Sequence, residues 1–176
     1  MTAPGILILS GLLALACWTD VRSHRIPNRL VLAGTALGIA FNGLSAQGLG
    51  WLVPLEGLAA GLALLLPLYA LRAMSAGDVK LMGMIGSFLG PVDVVGAALA
   101  TFVIGGLLAV AVALSSGVAR RMVRNVWHIV VGSAVSLACG AMPTAEAVGE
   151  PAARMAYGVA IAAGTAAFIA WQRFQG

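Results

Sequence analysis

Charged side chains are scarce in this sequence. They make up 9% of the 176 residues, with six acidic residues against ten Lys and Arg, whereas about a quarter of the residues of a soluble globular domain are charged. Hydrophobic residues account for 61% of the chain, and the mean hydropathy is +1.01. This composition excludes a soluble domain of useful size and predicts an integral membrane protein that forms a single domain, residues 1–176.

Cysteine is almost absent. Cys17 and Cys139 are the only two; both stand in apolar surroundings and the chain has no C-x-x-C motif, which argues against a zinc site and against a disulfide framework. We therefore expect no metal and no cofactor. No Lys or Arg precedes the first apolar run, as a secretory signal requires, so we expect this run to remain as a helix.

Long apolar segments separated by short polar breaks predict an all-α integral membrane fold, a polytopic bundle of about six transmembrane helices. Pro27 disfavours helical geometry at the residue before it and suits the start of a helix, which predicts a tight link between the first two helices. The predicted helices cover residues 4–19, 28–42, 51–72, 79–89, 92–116 and 155–171.

A basic stretch follows the fifth predicted helix. Arg120, Arg121, Arg124, Asn125 and His128 recur at spacings of three and four, as on one face of a helix. A basic amphipathic helix of this kind favours the membrane interface. A seventh span over residues 126–142 remains an alternative.

The distribution of basic residues predicts the orientation in the membrane, because Lys and Arg favour cytoplasmic loops. Six spans place nine of the ten basic residues on one side and only Arg173 on the other. Both chain ends are then outside and the basic side is cytoplasmic. Attraction to anionic lipid is a sufficient explanation for most of the net charge of +4. We therefore expect a lipid bilayer as a partner and no nucleic acid.

Two of the six acidic residues share a depth under this topology. Asp20 and Asp78 both lie at helix ends on the cytoplasmic side. Ionisable groups near lipid are costly unless solvated or paired, so two at one level indicate a functional site. The remaining acids fall on the outer side (Glu56, Asp93) or in a loop (Glu146, Glu150).

Two neighbouring carboxylates are the catalytic groups of an aspartic protease, in which one keeps a proton while the other activates water. The pair titrates as a unit, so the sequence leaves open which Asp starts as the base. Structural roles also remain open. Asp78 precedes an apolar segment and suits a helix N-cap, and Asp20 has Arg22 and Arg25 nearby as ion-pair partners.

Three segments together resemble the type IV prepilin peptidases, polytopic aspartic proteases of the G-x-G-D class. They are Asp20 with the downstream Ile26-Pro27-Asn28, then Ala76-Gly77-Asp78-Val79-Lys80-Leu81, and last Arg154-Met155-Ala156-Tyr157-Gly158. The resemblance covers nearly the whole chain and implies that Asp20 and Asp78 are the catalytic pair. Pro27, Asn28, Gly77 and Lys80 belong to the same motifs and are candidates for shaping the site or binding substrate.

The chain departs from the family pattern in two ways. Ser75 stands where the motif has its first Gly, which removes freedom to adopt positive φ there. The insertion with paired C-x-x-C motifs found in the large bifunctional members is missing, so the resemblance is to the short Flp-type (tight-adherence) peptidases without N-methyltransferase activity.

The resemblance implies a prepilin substrate with a short basic leader and a hydrophobic helix. The expected activity is leader cleavage after a Gly at the cytoplasmic face of the bacterial inner membrane. Small residues on predicted helices four and five, such as Gly83 and Gly86, would let the substrate helix approach closely. The alternatives are a non-enzymatic transporter with Asp20 and Asp78 as proton-relay groups, and a structural subunit of a secretion machine. The sequence does not predict the oligomeric state.

Overall fold

The structure is a computed structural model that describes residues 3–23, 25–44, 50–71, 74–115 and 157–175. Within these ranges the chain forms six α-helices and no strand, as the all-α prediction requires. They are α1 Ala3–Ser23, α2 Asn28–Leu44, α3 Leu52–Ala70, α4 Ala76–Leu89, α5 Pro91–Ser115 and α6 Tyr157–Gln175.

The chain divides into two compact units. The first comprises Met1–Gly105 and Ala156–Gly176, and the second Gly106–Met155. The described part of the second unit is the end of α5. The predicted interfacial helix, and the alternative seventh span over residues 126–142, lie outside the described residues.

Three of the described helices have the length and hydropathy of a membrane span: Ala3–Ser23, Leu52–Ala70 and Pro91–Val112. These three helices support a membrane protein. They do not confirm the predicted number of about six spans. In particular, the 14 residues of α4 extend about 21 Å at about 1.5 Å per residue. This is shorter than a hydrocarbon core of about 30 Å.

Helix α4 is the centre of the first unit. It contacts α1, α2, α3 and α6, and nearly all of its residues are buried, including every residue from Leu81 to Leu89. Asp78 and Ser87 are buried on it together with the apolar side chains. The shortest described helix is therefore the one that the other helices surround.

Glycines bring α3 and α4 into backbone contact. A Cβ added to Gly57 of α3 would collide with the Gly86 carbonyl, and one added to Gly86 would collide with the Gly57 carbonyl. One turn along α3, a Cβ on Gly61 would lie 2.5 Å from the Met82 carbonyl oxygen. The small face of α4 thus exists as predicted, but α3 occupies it. Its assignment to substrate binding was wrong.

Two glycines of α5 also pack inside the first unit. Gly96 lies against the Phe168 ring of α6 and Gly105 against the Tyr157 hydroxyl. At the far end of the same helix pair, the Gln172 amide donates to Asp93 at 2.8 Å. These two glycines therefore pack against α6, and the predicted substrate contact on the rest of the small face of α5 stays a prediction.

Helix α2 packs one face against α4 and provides a cap for its carboxyl end. Gly34 and Gly38 admit the side chains of Met84 and Phe88. The next residue on this face is Asn42, which is 5% exposed. Its Nδ2 donates to the carbonyl oxygens of Ser87 at 2.9 Å and Phe88 at 3.2 Å.

These bonds satisfy carbonyls in the last turn of α4 that have no partner within the helix. The Gly90 N–H satisfies a third, the Gly86 carbonyl, at 2.8 Å. Gly90 has a φ of 87°, a conformation that glycine adopts without a steric penalty. The chain then enters α5 at Pro91, where proline suits the first position of a helix.

Two helix boundaries differ from prediction in ways that affect the acids. Helix α1 continues to Ser23 instead of ending at Thr19, and the Thr19 and Ser23 hydroxyls donate to carbonyls of the preceding turn. Asp20 therefore lies inside the last turns of α1 and not in the link. Helix α4 begins at Ala76 instead of Val79, which places Asp78 within its first turn.

Replacing Asn42 with Leu tests the capping of α4. Leu has a similar size but no donor, so the Ser87 and Phe88 carbonyls lose their partner and we expect a destabilisation of about 2 kcal/mol. Unfolding of the purified protein in detergent or mixed micelles measures it. Asn28→Leu, at the exposed start of the same helix, is the matched control and should change stability little. Equal stability of Asn42→Leu and wild type would contradict the capping role.

Candidate active site

The end of α1 places a carboxylate against the start of α6. Asp20 is 7% exposed, and the Gly158 N–H donates to its Oδ2 at 2.8 Å. Gly158 is the second residue of α6, where backbone N–H groups lack partners within the helix. A negative charge is also stabilised there by the helix dipole. Asp20 is thus held by a helix 138 residues further along the chain.

This contact explains why residue 158 is glycine. A Cβ at Gly158 would lie 2.7 Å from Oδ2 of Asp20 and 3.2 Å from its Cβ and Cγ. Any side chain would displace either the carboxylate or the start of α6. The Tyr157-Gly158 pair of the third sequence motif therefore has a direct structural connection to the first motif.

The start of α4 holds the second carboxylate through a reciprocal capping box with Ser75. The Ser75 N–H and O–H donate to Oδ2 of Asp78 at 3.0 and 2.8 Å. In return, the Asp78 N–H donates to the Ser75 hydroxyl at 3.3 Å. Asp78 itself is 5% exposed.

The capping box corrects two expectations. Asp78 is not the N-cap; Ser75 is, and Asp78 is the third residue of the helix. Ser75 has φ −81° and ψ 156°, an extended conformation open to any residue. Serine in place of the first glycine of the G-x-G-D motif therefore causes no backbone strain.

Asp20 and Asp78 lie at the same end of the described helices, because Ile26 in the link after α1 lies against Gly77, the residue before Asp78. Burial raises the pKa of Asp78, and the charge of Asp20 adds a smaller effect in the same direction. Arg22 and Arg25, the alternative partners of Asp20, are exposed. Among the described residues, the hydrogen bond to the Asp20 carboxylate comes from Gly158. The two predicted acids thus lie at the same end of the helices, each bound to a helix N-terminus.

The other four candidate residues lie at the same end of the helices. Pro27 precedes α2, and its carbonyl accepts hydrogen bonds from the N–H groups of Leu30 and Val31. The Asn28 side chain accepts a hydrogen bond from Lys80 Nζ at 3.1 Å on the exposed surface. A Cβ on Gly77 would lie 3.4 Å from that of Ile26. The link between α1 and α2 therefore packs on the first turn of α4.

Tyr157 is a further residue of this site that received no role from the sequence. It opens α6 beside Gly158, and its side chain packs against the core. Burial, and to a smaller extent the charge of Asp78, raises the pKa of its hydroxyl. Spacing alone does not connect Tyr157 with Asp78, because they are distant in the sequence. Its position next to Gly158 in the third motif was the available signal.

Within the described residues, no group of three or more His, Cys, Asp or Glu side chains is placed to hold a metal ion. The chemical groups of the site are the two carboxylates, the Ser75 and Tyr157 hydroxyls and the Lys80 amine. Such a set provides acids, bases and hydrogen-bond donors.

Comparison with known proteins identifies the family of the chain. No curated protein and no solved structure matches the chain. The family model described as the type IV leader peptidase family matches residues 7–110, more than half of the 176 residues. The matched region includes Asp20, the link to α2, the capping box and Asp78. The chain belongs to the type IV leader peptidase family.

Proposed function

We propose that this protein is a membrane aspartic endopeptidase that removes the short basic leader from Flp-type prepilins, with Asp20 and Asp78 as its catalytic pair. One observation carries the proposal. Two buried carboxylates at the same end of the helices are each bound by a backbone N–H at a helix N-terminus, and the charge of Asp20 acts on Asp78. The family of the chain supplies the reaction class, which is peptide hydrolysis.

In the proposed reaction the two carboxyl groups share one proton, since neighbouring like charges disfavour double ionisation. The ionised member takes a proton from water as the water oxygen bonds to the scissile carbonyl carbon. The protonated member donates its proton to the carbonyl oxygen. When the carbon–nitrogen bond breaks, a proton passes to the leaving amine and the shared proton is restored.

The hydrogen bonds to Oδ2 of each acid support this role because they restrict the carboxylate orientation before substrate binds. Asp20 is fixed by the start of α6, and Asp78 by the N-cap of α4. Groups that are already oriented lose less freedom in the transition state, and a misplacement of about 1 Å can lower a rate by about a hundredfold.

The proposed location is the bacterial inner membrane, with the site at the cytoplasmic face and both chain ends outside. The basic residues near the site support this orientation, since Arg22, Arg25 and Lys80 are exposed around it. The proposed substrate is a prepilin cut after a glycine that precedes its hydrophobic helix. A residue without Cβ suits a scissile bond in a narrow site between helices.

We also propose that the enzyme cleaves without methylating the new N-terminus, because the sequence lacks the paired C-x-x-C insertion of the bifunctional members. A non-enzymatic role for Asp78 has one specific observation in its favour, the capping box. Substitution by Asn separates the two roles, since an amide oxygen still accepts from Ser75 but the side chain cannot exchange a proton as a carboxyl group does.

Asp20→Asn and Asp78→Asn should each lower leader cleavage by about a thousandfold or more, because removing one member disables the pair. Cleavage of a co-expressed Flp-type prepilin is measured by gel shift, with membrane insertion confirmed for each variant. Asp93→Asn is the control, since Asp93 bonds Gln172 away from the site. Normal processing by an inserted Asp20 or Asp78 variant would exclude the catalytic pair.

Gly158→Ala should reduce cleavage by about a hundredfold, because the new Cβ displaces the Asp20 carboxylate. The rate is measured on purified protein in detergent, together with thermal unfolding. Gly11→Ala in α1 is the matched control, since a Cβ there meets no described atom within 4 Å. Full activity of Gly158→Ala would show that the bond from Gly158 does not position Asp20.

A further inference from the structure

Ser75 binds Asp78 in a way that distinguishes the two carboxylate oxygens. Its N–H and O–H both donate to Oδ2. The other oxygen of this carboxylate, Oδ1, accepts no hydrogen bond from Ser75. The Ser75 hydroxyl has a single hydrogen, and that hydrogen points to Oδ2, while the Asp78 N–H approaches the hydroxyl oxygen.

An oxygen that accepts two hydrogen bonds is a poor place for a proton. A proton on Oδ2 would face the hydrogens of the Ser75 N–H and O–H, and at least one bond would have to break. Hydrogen bonds to the charged form of a carboxylate favour that form. The geometry at the start of α4 therefore disfavours a proton on Oδ2 relative to Oδ1.

We propose that Ser75 is a positioning residue. Its hydroxyl keeps Oδ2 of Asp78 as a hydrogen-bond acceptor, so that Oδ1 is the atom that exchanges the proton during peptide cleavage. This inference rests on the proposed function. In the reaction, the proton moves between Oδ1 and either water or the substrate carbonyl oxygen, while Oδ2 keeps both bonds to Ser75.

The titratable neighbours of Asp78 in the described part of the chain come from two helices. Asp20 is contributed by α1 and Tyr157 by α6. The nearest cation on α4 itself, Lys80, is exposed and bonds Asn28. Ser75 is thus the hydroxyl that contacts the Asp78 carboxylate directly, and it can be changed without altering a charge.

Three substitutions separate the hydroxyl from the capping role. Ser75→Gly removes the hydroxyl but keeps a residue that is tolerated at an N-cap, and it restores the motif's usual glycine. Ser75→Ala removes the hydroxyl and weakens the cap. Ser75→Thr keeps the hydroxyl. All three retain the backbone N–H that donates to Oδ2.

Cleavage kinetics on a purified Flp-type prepilin provide the first readout. We expect Ser75→Gly and Ser75→Ala to lower kcat about tenfold with little change in KM. Their pH–rate profiles should shift toward higher pH, because the donor that favours the charged carboxylate is gone. Ser75→Thr should restore both. A Ser75→Gly enzyme with the kcat and pH profile of wild type would overturn the proposal, and so would an equal loss in Ser75→Thr.

Chemical labelling provides a second readout that needs no substrate. A carbodiimide reacts with the protonated carboxyl group, and peptide mass analysis measures the rate at Asp78. We expect labelling several-fold faster in Ser75→Gly and Ser75→Ala than in wild type and Ser75→Thr near neutral pH. Equal rates in all four proteins would overturn the proposal. If wild type cleaves no prepilin, the proposed function fails, while labelling still decides the role of Ser75.

Discussion

A short helix surrounded by other helices must have its end groups hydrogen-bonded, and the described structure follows from this constraint at α4. Its carboxyl end is closed by Asn42 and Gly90, and its amino end by the reciprocal bonds of Ser75 and Asp78. Unpaired backbone groups in apolar surroundings cost several kcal/mol each. The same requirement that terminates α4 therefore fixes the orientation of one carboxylate of the candidate site.

The second carboxylate also satisfies an N–H group at a helix end, but on a helix other than its own. Asp20 belongs to α1, but it accepts a hydrogen bond from the first turn of α6. The two acids of the site thus combine helix termination with the proposed chemistry, and a structural role does not compete with a catalytic one. Glycines make this possible, because Gly158 lets Asp20 reach α6 and the Gly57–Gly86 contact lets α3 lie directly on α4.

Much of this arrangement could be predicted from the sequence. Hydropathy predicted the six described helices to within a few residues, and the scarcity of acids indicated Asp20 and Asp78. The capping box was also visible as Ser75-x-x-Asp78, but Asp78 was read as the cap itself. Asn42 and Gly158 could not be assigned, because their partners are distant in sequence and neither residue type alone indicates a cap. The small face of α4 was recognised, yet the pattern could not show that α3 fills it.

The measurement that tests the account most directly is the N-terminal mass of a Flp-type prepilin after incubation with the purified protein in lipid vesicles. The account predicts a product that begins directly after the leader glycine and carries no added methyl group. An uncut prepilin under conditions in which the protein is folded and inserted, or a cut that persists in Asp20→Asn and Asp78→Asn, would contradict it.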